Sequence, residues 1–152
     1  MSDLAPTKAC AIVLRQRDNA TELLVFRHPL AGIQIVKGKI ERGESSQAAA
    51  LRELWEEAGI RATRVTADLG TWASPYEAQV WALHVCEVTG ELPDTWTHRT
   101  ADDGGLDFEF FWHPLPNAPT AEWHPVFAAA WRLLVARSPG PTAPASPAAS
   151  SR

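Results

Sequence analysis

The sequence contains few of the features that mark secreted or membrane proteins. Two of its 152 residues are cysteine, and Cys10 and Cys86 both lie in apolar, strand-like runs. We expect two buried thiols rather than a disulfide framework. No apolar run approaches the roughly 20 residues that span a bilayer, and no basic segment followed by an apolar one opens the chain. The sequence therefore predicts a cytoplasmic protein with no membrane segment.

An excess of positive charge is also missing. Lys and Arg number 14 against 18 Asp and Glu, which gives a formal net charge of -4. This balance argues against nucleic acid or an anionic membrane as a partner, because such surfaces attract basic proteins. A net negative charge is still compatible with a small phosphorylated substrate that is held by a metal and a few local cations. The five histidines show no metal-ligand spacing, so a zinc site is not expected.

The length of the chain is that of one domain with a sizeable core. We interpret residues 1–7 as a flexible N-terminal arm and residues 8–136 as the domain. Residues 137–152 are rich in Pro, Ala and Ser, a composition that cannot bury a core and predicts a disordered tail.

Hydrophobic patterning within the domain predicts strands first, then a helix, then more strands and a last helix. The first helix has Ser45 or Ser46 as its N-cap and ends at Gly59. This order predicts an α/β fold, a sandwich with a mixed β-sheet between helices. The predicted strands are 8–16, 21–27, 33–36, 61–72, 77–88 and 106–113, the helices are 48–58 and 125–136, and 89–105 is a long loop.

The first helix carries an unusual concentration of acid. Glu53, Glu56 and Glu57 are three and four residues apart, so they share one face of the helix. Three carboxylates on one face repel each other, and a hard divalent cation converts that repulsion into a binding site. The other face is apolar at helical spacing and is expected to pack in the core: Ala48, Leu51 and Trp55.

The segment from Gly38 to Ile60 has a spacing that identifies a family. It contains Gly, five residues, Glu, seven residues, Arg-Glu, an aliphatic, any residue, Glu-Glu, any residue, Gly and an aliphatic. The residues at these positions are Gly38, Glu44, Arg52, Glu53, Leu54, Glu56, Glu57, Gly59 and Ile60. This pattern is the complete Nudix box, and the chain resembles a Nudix hydrolase.

The resemblance implies an α/β/α sandwich and the hydrolysis of a nucleoside diphosphate linked to another moiety, with Mg²⁺ or Mn²⁺ as cofactor. Family members are often dimers, so it also implies a homodimer. The retained carboxylates argue for an enzyme. The alternative is a non-catalytic Nudix-fold module that binds a nucleotide or regulates through it, and such a module would be expected to lose some of them.

Family roles and side-chain chemistry agree for the box residues. Glu56 and Glu57 are the expected metal ligands, and Glu53 is either a further ligand or the general base that activates water. Arg52 is placed to orient a carboxylate or offset the charge of the cluster. Glu44 is expected to support the site, through an indirect metal contact or by orienting Glu53.

The start of the box also contributes to the expected site. In the family the backbone carbonyl just before the box glycine often binds metal, which here places Lys37 and Gly38 at the metal. The side chains of Lys37, Lys39 and Arg27 are candidates for phosphate contacts, although charged loop residues are usually only solvated.

Substrate markers lie beyond the box and conflict. Pro75 is 15 residues after Ile60, as in ADP-ribose pyrophosphatases, whereas Tyr76 is 16 residues after it, as in dinucleoside polyphosphate hydrolases. We include Glu77 with them as a substrate-binding candidate. The plain alternative is a proline-containing loop between strands. Oxidised nucleotides and RNA 5′ ends are further substrate types that the sequence does not separate.

An acidic ligand from outside the box is also typical of the family. The candidates are Glu109 in a predicted strand, Asp102 and Asp103 in the long loop, and Glu77. Trp96 in the same loop is the candidate for stacking on a base.

Overall fold

The computed structural model describes residues 5–101 and 104–138 of the chain. Within these residues there are nine strands and two helices. The strands are β1 (Lys8–Ile12), β2 (Leu14–Arg17), β3 (Ala20–His28), β4 (Gly32–Gln34), β5 (Lys37–Lys39), β6 (Arg64–Ala73), β7 (Val80–Glu87), β8 (Trp96–Thr100) and β9 (Leu106–Pro114), and the helices are α1 (Ser46–Ala58) and α2 (Pro125–Arg137).

The strands form two sheets, and the predicted mixed α/β fold is confirmed. The four-stranded sheet has the order β5-β1-β7-β6, in which β1 and β7 are parallel and the other pairs are antiparallel. The five-stranded sheet has the order β2-β3-β9-β8, with β4 added on β3, and all of its pairs are antiparallel.

The predicted strand at 8–16 is divided between the two sheets. Val13 is buried, and its carbonyl accepts a hydrogen bond from the Leu24 backbone at 2.9 Å. The chain therefore leaves the four-stranded sheet after Ile12 and enters the other sheet at Leu14, which pairs with Leu23. The apolar run gives no sign of this crossing, because Val13 at the crossing is as buried as the apolar residues of β1 before it.

Two hydrophobic clusters lie on opposite faces of β1. Ala9 and Ala11 belong to the cluster that contains the buried face of α1, whereas Cys10 and Ile12 belong to the cluster that contains α2. This alternation follows from the two-residue period of a strand and gives the layered arrangement predicted from the sequence. Cys10 and Cys86 are free and buried, as expected, and burial raises the pKa of each thiol to about 12.

Helix α1 begins and ends at capping residues. The Ser45 side chain accepts a hydrogen bond from the Ala48 backbone at 3.0 Å, and Gly59 ends the helix at φ 73° with its N–H on the Trp55 carbonyl. The predictions of a serine N-cap and a glycine C-cap are confirmed.

The predicted core face of α1 is wrong for Ala48 and Trp55, whereas Leu51 is partly buried and packs against the core as predicted. Trp55 is 45% exposed and lies under the Arg61 guanidinium at 4.2 Å, and Ala48 is also exposed. The face turned inward instead includes an acid, because Glu53 is only 7% exposed. The apolar residues of the buried face are Ala49, Ala50, Leu54 and Ala58.

The prediction of an uninterrupted loop at 89–105 is also wrong, because this segment contains β8. Its sequence, Trp-Thr-His-Arg-Thr, alternates between more and less buried side chains in the strand period. Trp96, His98 and Thr100 face inward, and the polar character of the strand concealed this alternation.

Helix α2 starts at Pro125 with His124 as its N-cap, whose side chain accepts from the Val126 backbone at 3.2 Å. No helix in the described ranges is long and apolar enough to cross a membrane.

The limits of the domain, residues 8–136, stay predictions. Thr7 is bonded to Val80 of β7, and residues 139–152 of the predicted tail lie outside the described residues.

We expect Gly59→Ala to destabilise the protein more than Gly43→Ala. Both glycines have φ near +75°, which costs alanine about 1 kcal/mol. A Cβ on Gly59 would also lie 2.8 Å from Nδ1 of His98, whereas Gly43 has open space. Displacing the His98 ring loses its hydrogen bond, about 1 kcal/mol more. Urea unfolding of both variants measures the difference, and equal losses would contradict the contact.

Candidate active site

The guanidinium of Arg52 is the centre of the polar network on α1. It forms a two-pronged ion pair with Glu44, with Nε–Oε2 at 2.8 Å and Nη2–Oε1 at 2.9 Å. Its Nη1 donates to Glu53 and to Glu56, both at 3.0 Å, and its Nη2 donates to the Lys39 carbonyl at 2.8 Å. One side chain thus joins the helix, strand β5 and the loop before the helix.

This network fixes the charge states of Glu44 and Arg52. The Arg52 guanidinium, aided by the Glu41 backbone N–H, lowers the pKa of Glu44 from 4.5 to about 2. The carboxylates in turn raise the pKa of Arg52. Glu44 therefore stays ionised and anchors Arg52, which suits the predicted supporting role of Glu44.

Glu53 lies against the backbone of β5. A Cβ built on Gly38 would lie 1.9 Å from the carboxyl carbon of Glu53, so the strand approaches the helix as closely as it does only because residue 38 has no side chain. Gly38 and Glu53, 15 positions apart in the sequence, are thus brought together at the predicted metal site.

Glu56 and Glu57 lie on the same face as Glu53 and nearer to solvent, with Glu56 exposed and Glu57 half-buried. Among the residues that the structure describes, no three acidic, His or Cys side chains converge closely enough to enclose an ion. Glu53 and Glu56 are both bound by Nη1 of Arg52, so their carboxylates pair with this guanidinium.

The side chain of Lys37 lies on the face of β5 that is turned away from Glu53 and α1. Its ammonium lies over Trp81, 4.7 Å from the ring centroid, and donates to Gln79 at 3.3 Å. Burial lowers the pKa of Lys37. Lys39 is exposed, and its carbonyl is bound by Arg52.

The predicted substrate loop lies next to this face of β5. Pro75, Tyr76 and Glu77 are in the turn between β6 and β7, and Gln79 links the turn to Lys37. Tyr76 is 40% exposed and meets His124 edge-on at 5.6 Å. The structure thus brings the loop to the side chain of Lys37 and leaves the carboxylates on the other face.

Arg27 and Glu109 are not brought to the carboxylate cluster. They face each other across β3 and β9, with Arg27 Nη1 3.7 Å from Glu109, and Arg27 also forms an ion pair with Glu122. Strand alternation is the reason, since Phe26 turns toward α1 and Arg27 therefore turns away. Asp102 and Asp103 lie outside the described residues.

Two features at the ends of α1 were not found from the sequence. At its start, Ser46 Oγ lies 2.8 Å from Nε2 of the buried His84. At its end, Trp96 Nε1 donates to the Ala58 carbonyl at 3.0 Å, and its ring is stacked on Phe110. Trp96 thus contacts α1 and Phe110 within the protein, and its base-stacking role stays a prediction. The two-residue alternation of side chains along β8 was the one sequence signal that could have predicted that Trp96 faces the protein interior.

Comparison with known families decides the classification. The profile of the NUDIX domain family matches residues 5–131, most of the chain. The chain belongs to the Nudix family. The box residues found in the sequence are thus the Nudix box of a Nudix domain, in the structural setting just described.

Individual relatives of this Nudix chain are distant. An RNA pyrophosphohydrolase of Bartonella quintana is 28% identical over 102 residues, which cover 57% of this chain and 59% of the relative. The chain thus spans less than two thirds of that relative.

Two solved structures share the fold. An ADP-ribose pyrophosphatase from Streptococcus suis superposes with a TM-score of 0.60 at 16% identity and covers 90% of this chain and 96% of its own. A Caenorhabditis elegans Ap4A hydrolase superposes with a TM-score of 0.60 at 19% identity over 85% and 93%. At these identities the likeness shows the fold alone.

We expect Gly38→Ala to displace Glu53 in this Nudix domain. The added Cβ cannot coexist with the carboxyl group, so the Glu53 side chain must leave the β5 backbone. We expect Mn²⁺ affinity to fall by about tenfold or more. Gly43→Ala, which adds a Cβ to open space, serves as the control. Titration of Mn²⁺ by electron paramagnetic resonance measures both, and equal affinities would refute the displacement.

The Glu44–Arg52 pair predicts a pH dependence of stability. Because the pKa of Glu44 is lower in the folded state, the pair stabilises the fold fully above pH 4.5 and loses its effect as the pH falls toward about 2. Glu44→Gln should therefore be less stable than wild type at neutral pH, and the two should converge across that window. Urea unfolding of the metal-free proteins from pH 7 to pH 2 measures this, and a difference that does not vary with pH would contradict it.

Proposed function

We propose that the chain is a Mg²⁺- or Mn²⁺-dependent pyrophosphohydrolase that cleaves a nucleoside diphosphate linked to another moiety by water attack at phosphorus. The observation that carries the proposal is the carboxylate face of α1, held by Arg52 with Glu53 against Gly38. A merely solvated acidic helix would not need the close approach to β5 or the inward-facing Glu53.

The residues present fit a hard divalent cation. Carboxylate and backbone oxygens are the ligands that Mg²⁺ prefers, and Glu53, Glu56 and Glu57 supply them on one face. Gly38 leaves the backbone of β5 uncovered beside Glu53, so the Lys37 carbonyl is a further candidate ligand. Glu56 is exposed and Glu57 is half-buried, so both lie where the carboxylate face of α1 meets solvent.

When bound, the cation would supply Lewis-acid stabilisation of negative charge on the diphosphate oxygens. The chain itself supplies position and proton transfer. Arg52 fixes the direction of Glu53 and Glu56, and Glu44 fixes Arg52. Glu53 has two roles open to it, a third metal ligand or the acceptor of the proton from the attacking water.

The substrate class is supported by what the named relatives have in common. The names of these relatives indicate RNA, ADP-ribose and Ap4A as substrates, and a pyrophosphohydrolase cleaves a phosphoric anhydride. The part of the substrate beyond the diphosphate is expected to meet the turn with Pro75, Tyr76 and Glu77. Lys37 and Lys39 stay candidates for phosphate contacts, whereas Arg27 would meet a phosphate only on the face where it pairs with Glu109 and Glu122. Assembly as a homodimer stays a prediction.

A substrate panel tests the proposal. Purified protein with Mg²⁺ is offered ADP-ribose, UDP-glucose, diadenosine tetraphosphate and a short RNA with a 5′-triphosphate, and at least one should be hydrolysed. Glu57→Gln should lower kcat on that substrate about 100-fold or more, because it removes a charge from the metal site. Glu91→Gln, which neutralises an exposed acid in the loop after β7, is the matched control and should leave kcat unchanged.

Two outcomes would contradict the proposal. The first is no turnover on any member of the panel, with tight binding of an uncleaved nucleotide favouring a non-catalytic module. The second is full activity in Glu57→Gln. Glu53→Gln separates the two roles of Glu53, because loss of Mn²⁺ binding indicates a ligand and loss of turnover alone indicates the proton acceptor.

A further inference from the structure

Strand β8 supplies two hydrogen-bond donors to the last turn of α1. Trp96 Nε1 lies 3.0 Å from the carbonyl oxygen of Ala58, and His98 Nε2 lies 3.1 Å from that of Glu56. Because a carbonyl only accepts, both side chains donate, and His98 carries its proton on Nε2. The two carbonyls lie immediately before and after Glu57 in the sequence.

The end of a helix depends on such outside donors. The last four carbonyls of an α-helix have no partner within the helix, and terminal turns fray when these groups are not satisfied. The Gly59 N–H occupies the Trp55 carbonyl, and β8 occupies those of Glu56 and Ala58. The turn that carries Glu56 and Glu57 is therefore fixed by side chains from another strand.

Both donors are packed against other residues of the protein. The Trp96 indole is stacked on Phe110, with centroids 5.1 Å apart and planes 9° apart, and Phe110 is 1% exposed. The His98 ring lies so close to Gly59 that a Cβ there would be 2.8 Å from Nδ1. Because Trp96 and His98 belong to β8, their hydrogen bonds fix the end of α1 relative to the five-stranded sheet.

We infer that Trp96 and His98 are positioning residues for Glu56 and Glu57, which they hold through the main-chain carbonyls of Glu56 and Ala58. The inference rests on the proposed function, because it assigns the carboxylates to a metal. No contact of Trp96 or His98 with the ion or the substrate is required. Their effect is on the direction in which the last helical turn presents its carboxylates.

The chain offers a matched control for Trp96. Trp112 is also half-buried in the five-stranded sheet, and its Nε1 donates to the Pro93 carbonyl at 3.0 Å, away from α1. Trp96→Phe and Trp112→Phe each remove one indole donor and keep an aromatic ring. The two variants should therefore lose similar thermal stability, and only Trp96→Phe should weaken the binding of Mn²⁺.

The experiment measures Mn²⁺ binding by electron paramagnetic resonance alongside the thermal midpoint. Trp96→Phe should raise the Mn²⁺ Kd about fivefold, the worth of one hydrogen bond, and Trp112→Phe should leave it unchanged. His98→Ala should raise the Kd similarly, and His98→Gln, whose amide retains a donor, should recover part of the affinity.

Equal Mn²⁺ affinities in Trp96→Phe and wild type would overturn the inference, as would equal weakening in Trp96→Phe and Trp112→Phe. Glu57→Gln separates this failure from failure of the proposed function. If Glu57→Gln binds Mn²⁺ as wild type does, the metal site itself is wrong. If Glu57→Gln loses Mn²⁺ and Trp96→Phe does not, only the positioning role is wrong.

Discussion

The ion pair between Arg52 and Glu44 is the interaction on which the rest of the site depends. Carboxylates gathered on one helical face repel each other, and Arg52 offsets that repulsion by donating to Glu53 and Glu56 as well. Glu44 holds the guanidinium in place through two bonds at once, a geometry specific to arginine. Without this anchor, Arg52 would be free to turn toward solvent and the carboxylates would lose their common orientation.

The site lies where the two sheets meet the same helix. The start of α1 is bonded to the four-stranded sheet through Ser46 and His84, and its end is bonded to the five-stranded sheet through Trp96 and His98. His84 is suited to a buried neutral contact because burial lowers its pKa. The carboxylate face is therefore positioned by the relation of two sheets rather than by the helix alone.

Strand β5 separates the proposed chemistry from the candidate recognition loop. On one side, Gly38 admits Glu53. On the other, Lys37 lies over Trp81 and reaches Gln79, which belongs to the end of the turn that carries Tyr76. The two faces share a three-residue strand, so a substrate that extends from the carboxylates to this turn would have to pass the edge of the sheet.

The sequence by itself determined the family, the class of fold, the capped helix and the identity of the acidic face. It could do so because these depend on local spacing: the helical period places Glu53, Glu56 and Glu57 together, and Ser45 and Gly59 act on adjacent backbone. Tertiary structure alone decided the inward turn of Glu53, the exposure of Trp55, the pairing of Arg27 with Glu122 and the anchoring of α1 by β8. Each of these depends on a partner distant in the chain, and a local pattern can show which residues share a face but not what that face meets.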